Sequence, residues 1–124
     1  MVKLLIIDDE APIRKLLKKF LRMNDFEVVT AENGKEGLYI YKQEQPDLVI
    51  TDLIMPDKEG LETIRELKQM NPSAKIIAIS GGGISSPTAY LDLAQKMGAA
   101  ATFEKPLDNE ALLSMVKKLI DLSG

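Results

Sequence analysis

The chain contains no cysteine, no histidine and no tryptophan among its 124 residues, with only three phenylalanines and three tyrosines. Without cysteine there is no disulfide scaffold and no thiol chemistry, although such a chain can occupy any redox compartment. Without histidine it lacks the commonest general base and zinc ligand, and it cannot itself act as a histidine phosphodonor. Long apolar runs are missing too: nothing approaches the roughly 18 residues of a membrane-spanning helix. The opening "MVKLLIIDDE" turns acidic before a signal-peptide hydrophobic region could be completed. A net charge of -3 gives no global attraction to nucleic acid or to an anionic membrane. The expectation is a cytoplasmic protein with no direct nucleic-acid or membrane partner. What remains is the oxygen chemistry of carboxylates and hydroxyls, with lysine as a cation and with donors that suit a hard metal ion.

What is present reads as one folded domain over residues 1–124. The composition, 45% hydrophobic and 28% charged, is that of a globular chain with a sizeable core. "VKLLII" is apolar apart from Lys3 and stops at Asp8, Asp9 and Glu10, as a strand buried on both faces would. After Pro12, residues Ile13, Leu16, Leu17, Phe20 and Leu21 recur at helical spacing. Arg14, Lys15, Lys18 and Lys19 take the opposite face.

"FEVVTA" predicts a second strand, and Asn33 with Glu36 a capping box for a helix running to about Glu44. "DLVITD" predicts the third strand, followed by a helix with Leu61, Ile64, Leu67 and Met70 on one face. "AKIIAIS" and "AAATFE" predict strands four and five. The helix between them starts at Pro87 behind a Ser86 cap, turns Ala89, Tyr90, Leu93, Ala94 and Met97 inward and stops at Gly98. Asp108 caps the last helix, with Leu107 and Leu112 as its hydrophobic staple. Five strand-helix units with short connections require parallel strands, right-handed crossovers and helices on both faces of the sheet.

Ligands of such sheets bind beyond the carboxyl ends of the strands, where the strand order reverses. The residues at those ends are Asp8 and Asp9 after strand one, Asp52 after strand three, Ser80 after strand four and Lys105 after strand five. Taken singly, each has an ordinary reading: acids solvating loops, a serine in a turn, a surface lysine before Pro106. Asp52 is the exception, because an acid directly after "LVI" lies near the core and needs a partner. Together the three carboxylates repel unless a cation compensates. A divalent ion such as Mg2+ would do so, and a phosphoryl group would complete its shell within reach of Ser80 and Lys105.

On these residues the chain resembles the receiver domain of two-component response regulators over essentially its whole length. The acidic pair corresponds to Asp8 and Asp9. The phosphorylatable aspartate of a "D-x-x-M-P-x-x-x-G" motif corresponds to Asp52 with Met55, Pro56 and Gly60, the hydroxyl position to Ser80, and the lysine-proline pair to Lys105 and Pro106. The resemblance implies an α/β, flavodoxin-like (βα)5 three-layer sandwich with a parallel five-stranded sheet in the order 2-1-3-4-5. It implies Mg2+-dependent phosphoryl transfer to Asp52 from a phosphohistidine on a sensor histidine kinase or histidine phosphotransfer protein, followed by hydrolysis. Asp9, Asp52 and the Ile54 carbonyl would hold Mg2+, with Asp8 acting largely through water. Lys105 would pair with Asp52 and later with the phosphoryl group, Ser80 would turn inward, and a cis bond would precede Pro106. Helix one would receive the kinase. Helix four, strand five and helix five would contact a downstream output protein or effector domain.

Two features depart from the family pattern. The aromatic expected three residues before the lysine is Thr102, and Phe103, one residue on, should face the other side of strand five. The stretch from Ser80 to Lys105 is longer than usual and starts with Gly81, Gly82 and Gly83, so this loop and the start of helix four are expected to be mobile before phosphorylation. Asp57 reads as a surface residue. Competing accounts are a pseudo-receiver that binds partners without phosphorylation and a phosphatase with an aspartyl nucleophile. A flavin-binding domain is disfavoured because Asp8, Asp9 and Glu10 would repel the cofactor phosphate. A stand-alone receiver and one joined to an effector beyond Gly124 would read alike.

Overall fold

The computed structural model describes residues 1–53, 60–81 and 87–121. The expectations for Ile54, Met55, Pro56, Asp57, the Gly82–Gly83 stretch and the Ser86 cap lie outside the described residues. Strands and helices alternate along the chain: β1 (Lys3–Ile7), α1 (Ala11–Met23), β2 (Glu27–Ala31), α2 (Gly34–Glu44) and β3 (Leu48–Asp52), then α3 (Gly60–Met70), β4 (Ile76–Ser80), α4 (Pro87–Lys96), β5 (Ala101–Glu104) and α5 (Asn109–Asp121). The strands form one parallel sheet ordered β2-β1-β3-β4-β5, as anticipated.

Every residue of β3 and β4 is buried, which is why these strands read as unbroken apolar runs rather than as alternations. Their side chains feed two cores. On one face Leu4, Ile6, Ile50, Ile77 and Ile79 pack against Leu17 and Leu21 of α1 and Leu112, Val116 and Leu119 of α5. On the other, Leu5, Ile7, Val49, Ile76 and Ala78 meet Ile64 and Leu67 of α3 and Leu91 and Ala94 of α4. Phe103 packs in the first core, while Thr102 pairs in register with Ala78 of the second. The period-two reading of β5 therefore holds.

The helix ends follow their local chemistry. Asn33 Oδ1 accepts from Glu36 N at 2.8 Å, as the predicted cap requires, and the Glu36 carboxylate reaches back to accept from Glu32 N. Asp108 Oδ1 accepts from Glu110 N and Ala111 N at the start of α5. Leu107 packs against the core that contains Leu112. Gly98 takes φ +116 after α4.

Several helical faces need correction. Leu16 is 61% exposed, whereas Arg14, expected outside, is half-buried. At about 100° per residue, the stripe centred on Leu17 leaves Leu16 on one flank and Arg14 on the other. In α3 a spacing of three drifts by about 60° per step. Met70 has accordingly rotated outward to 37% exposure, and Thr63 and Gly60 join Ile64 and Leu67 in the buried set. In α4, among the described side chains, Leu91 and Ala94 are buried while Ala89 and Leu93 are exposed; the expectation for Tyr90 lies outside the described side chains.

Gly60 shows what a close approach demands. A Cβ there would lie 2.2 Å from the Asp52 carbonyl oxygen and 2.4 Å from Leu53 Cα, both backbone atoms that cannot swing aside. The Gly60 amide donates to Leu53 O at 2.9 Å, drawing α3 tightly against the end of β3. Gly60→Ala is expected to destabilise the protein by about 1–3 kcal/mol, the scale of overpacking. Urea denaturation would show it as a lower midpoint, and a loss below about 0.5 kcal/mol would contradict the packing account.

Candidate functional site

The connections from β1 to β2 and from β2 to β3 run in opposite directions across the sheet, so the strand order reverses between the neighbouring strands β1 and β3. Asp8 and Asp9 leave the sheet at one side of that crevice and Asp52 ends the strand on the other. Carboxylate oxygens of Asp8, Asp9 and Asp52 lie within 4.8 Å of one another. Asp8 and Asp52 are buried while Asp9 is exposed, so the cluster opens to solvent on the Asp9 side.

Lys105 reaches in from the end of β5. Its Nζ donates to Asp52 Oδ2 at 3.0 Å and lies 3.4 Å from Asp8 Oδ2 and 3.9 Å from Glu10 Oε1. The backbone carries it there: Lys105 N donates to Ser80 O at 2.8 Å, and the Lys105–Pro106 bond is cis, as the resemblance implied. Gly81 makes room, since a Cβ at that position would sit 2.7 Å from Lys105 Cβ and 3.1 Å from Lys105 N. Read from sequence as flexibility, Gly81 turns out to provide clearance.

Three carboxylates against one ammonium leave a surplus of negative charge. Burial pushes the Asp8 carboxyl up to about 6 despite the hydrogen bond it accepts from Glu10 N, and the neighbouring Asp52 charge pushes the same way. For Lys105, burial works against the ammonium, but the hydrogen bond to Asp52 and the charges of Asp52, Asp8 and Glu10 outweigh it and raise its pKa. Lys105 is held cationic and the acids are under-compensated. A cluster of hard oxygen donors in this state can coordinate a divalent metal ion. Ser80 adds a second sign of an incomplete site: it is fully buried, and its hydroxyl has no hydrogen-bond partner among the described residues.

The structure thus brings Asp8, Asp9, Asp52 and Lys105 into one cluster, with Ser80 at the adjoining end of β4. Ile54 lies outside the described residues. Sequence reasoning missed Glu10, a rim carboxylate near Lys105, and Arg14, whose Nη1 donates to the Asp8 carbonyl oxygen at 2.6 Å. A run of three acids marked Glu10 in advance; no local pattern marked Arg14.

A doubly wound parallel sheet with a lysine-bridged acidic cluster at its switch point defines a flavodoxin-like α/β protein whose carboxylates can coordinate a divalent cation. The model of the response regulator receiver domain matches residues 4–117, and the chain belongs to that family, the receiver module of two-component signalling. It is 37% identical over 120 residues to the chemotaxis protein CheY of Bacillus subtilis, covering 96% of this chain and 98% of that one. It is 32% identical to sporulation initiation phosphotransferase F of the same organism, covering 98% of this chain and 96% of that one. The crystal structure of a response regulator receiver domain protein from Clostridium thermocellum superimposes with a TM-score of 0.92 at 33% identity, over 99% of this chain and 97% of that one.

Proposed function

We propose that this receiver accepts a phosphoryl group on Asp52 from the phosphohistidine of a sensor histidine kinase or histidine phosphotransfer protein, and that the modification alters its contacts with an output protein or effector domain. The observation that carries this reading is the Asp8–Asp9–Asp52 cluster with Lys105 bound to Asp52 at 3.0 Å. One relative's name, a phosphotransferase, agrees with phosphoryl transfer as the chemistry. The carboxylate set suits Mg2+, which Asp9 and Asp52 would hold with Asp8 assisting; the family resemblance adds the Ile54 carbonyl as a further ligand. When bound, Mg2+ neutralises charge on the phosphoryl oxygens.

The chain's own residues supply the rest. An Asp52 carboxylate oxygen attacks phosphorus, the bond from phosphorus to the donor imidazole nitrogen breaks, and that nitrogen leaves with the electron pair. Lys105 transfers its hydrogen bond from Asp52 Oδ2 to a phosphoryl oxygen. The Ser80 hydroxyl donates to another, which gives its unpartnered oxygen a role. Hydrolysis of the acyl phosphate returns Asp52 to its starting state. With Thr102 beside Ala78 and Phe103 in the opposite core, the signal leaves without rotation of an aromatic at position 102. A groove of about 300 Å3 lined by Ile13, Leu16, Leu17, Pro106 and Leu107 runs beside Lys105. With the basic Lys15, Lys18 and Lys19 on the same helix, it offers the donor a docking surface. No helix among the described residues is long and apolar enough to cross a membrane. A cytoplasmic setting suits this reading.

Incubation with acetyl phosphate and Mg2+, followed by intact mass measurement, tests the reading. An adduct of about 80 Da, one phosphoryl group, that disappears when EDTA replaces Mg2+ is expected; its absence under both conditions contradicts the proposal. Ser80→Ala provides a finer test. Removing a buried hydroxyl without a partner should raise the stability of the unmodified protein by about 1 kcal/mol while slowing adduct formation about fivefold or more. Unchanged kinetics would remove Ser80 from the reacting site.

A further inference from the structure

Asp9 is exposed, and among the described residues no hydrogen bond or ion pair holds its carboxylate. Its place beside Asp8 and Asp52 depends on the backbone that carries it. That backbone is fixed from several directions. Asp8 N donates to Ala31 O at 3.1 Å, Glu10 N to Asp8 Oδ1 at 2.8 Å, and Arg14 Nη1 to Asp8 O at 2.6 Å. The Arg14 bond falls on the carbonyl of the peptide that joins Asp8 to Asp9, so it limits rotation of the plane from which Asp9 projects.

Arginine suits this task. Its guanidinium stays protonated, and its planar fork is pre-organised, so fixing it sacrifices less freedom per bond than fixing a lysine would. Arg14 sits on the flank of the buried stripe of α1, half-buried, and α1 is anchored in the core by Leu17 and Leu21. The tether thus runs from a rigid element back to the mouth of the acidic cluster.

We infer that Arg14 is a positioning residue of the divalent-cation site, holding the Asp8–Asp9 peptide so that the Asp9 carboxylate is in place before the ion arrives. The inference rests on the reading that the acidic cluster takes Mg2+. Residues that orient metal ligands without touching the metal typically govern affinity by about 10- to 100-fold. The ordinary alternative is that Arg14 only ties down the start of α1, which would lower stability and leave cation binding unchanged.

The test is calorimetric titration of the full chain with MgCl2 alone, at pH 7.5 and without phosphodonor, alongside thermal melts of the metal-free proteins. For Arg14→Ala the expected result is Mg2+ affinity weakened about tenfold. Arg14→Lys, which keeps one charged donor, should recover part of that loss. A lower melting temperature with Mg2+ affinity within twofold of the unsubstituted protein overturns the inference and leaves Arg14 a purely structural role. If Arg14→Ala fails to fold, Arg14→Lys decides alone: affinity reduced severalfold supports the positioning role, and unchanged affinity overturns it. Absence of saturable Mg2+ binding by the unsubstituted chain would overturn the cation reading itself, and this inference with it.

Discussion

Asp52→Asn is expected to abolish the acetyl phosphate adduct, a loss of about 1,000-fold or more in labelling rate, because a carboxamide is no nucleophile toward phosphorus. The substitution keeps the shape of the side chain and an oxygen that can accept from Lys105, so the loss would report on chemistry rather than on folding. The cluster makes the outcome informative in a second way. Carboxylate oxygens of Asp8 and Asp9 lie within 4.8 Å of one of Asp52, and Ser80 ends the adjoining strand, so residual labelling of the variant would point to one of these neighbours. Retention of most of the adduct in Asp52→Asn would move the acceptor to a neighbour and undo the assignment.

A similarly large effect is expected on stability. The Asp8 carboxyl is pushed up to about 6 from an ordinary 3.8, chiefly by burial. An acid whose pKa rises on folding is held more tightly in its protonated form by the native state. Its stabilising contribution is therefore complete below about 3.8 and is lost as pH climbs through about 6. Above that range the metal-free protein carries the burden of a buried anion beside Asp52, on the order of 3 kcal/mol.

Two results follow. Mg2+ should raise the melting temperature strongly at pH 7.5 and progressively less below pH 6, where it must displace a proton. Asp8→Asn, which retains an oxygen for the Glu10 amide, should be more stable than the unsubstituted protein at pH 7.5 without metal and should gain less from Mg2+. Equal Mg2+ stabilisation at pH 5 and 7.5, or a less stable Asp8→Asn, would show that Asp8 is not strained as an anion.

The fold was legible because its signals are long and mutually consistent. Runs such as "LVITD" and "IIAIS" are buried at every position, which only a central parallel strand requires, and each is followed by an amphipathic helix. The cluster was legible for a topological reason. Once the strands are parallel, their last residues share one edge, and Asp8, Asp52, Ser80 and Lys105 fall together without knowledge of any distance.

What escaped sequence reading depends on azimuth and on contacts distant in the chain. Leu16 and Arg14 flank the same buried stripe, and hydropathy alone placed the leucine inside and the arginine outside. The opposite outcome reflects what each flank meets: Leu16 borders the open groove with Pro106 and Leu107, while Arg14 finds the Asp8 carbonyl. Leu93 and Met70 repeat the error at the edges of their stripes. Gly81 was marked as a glycine in a glycine run, but its necessity depends on Lys105, which lies next to it only in the folded sheet.

We propose Asp52 as the phosphoryl acceptor, and its modified form can be trapped chemically. Borohydride converts an aspartyl phosphate to homoserine, so brief exposure to acetyl phosphate and Mg2+, reduction and peptide sequencing by mass spectrometry would identify the modified residue. Homoserine at position 52, and only when both acetyl phosphate and Mg2+ were present, is the predicted result. Homoserine at position 8 or 9 in its place, or none in a sample whose intact mass had shown the adduct, would contradict it.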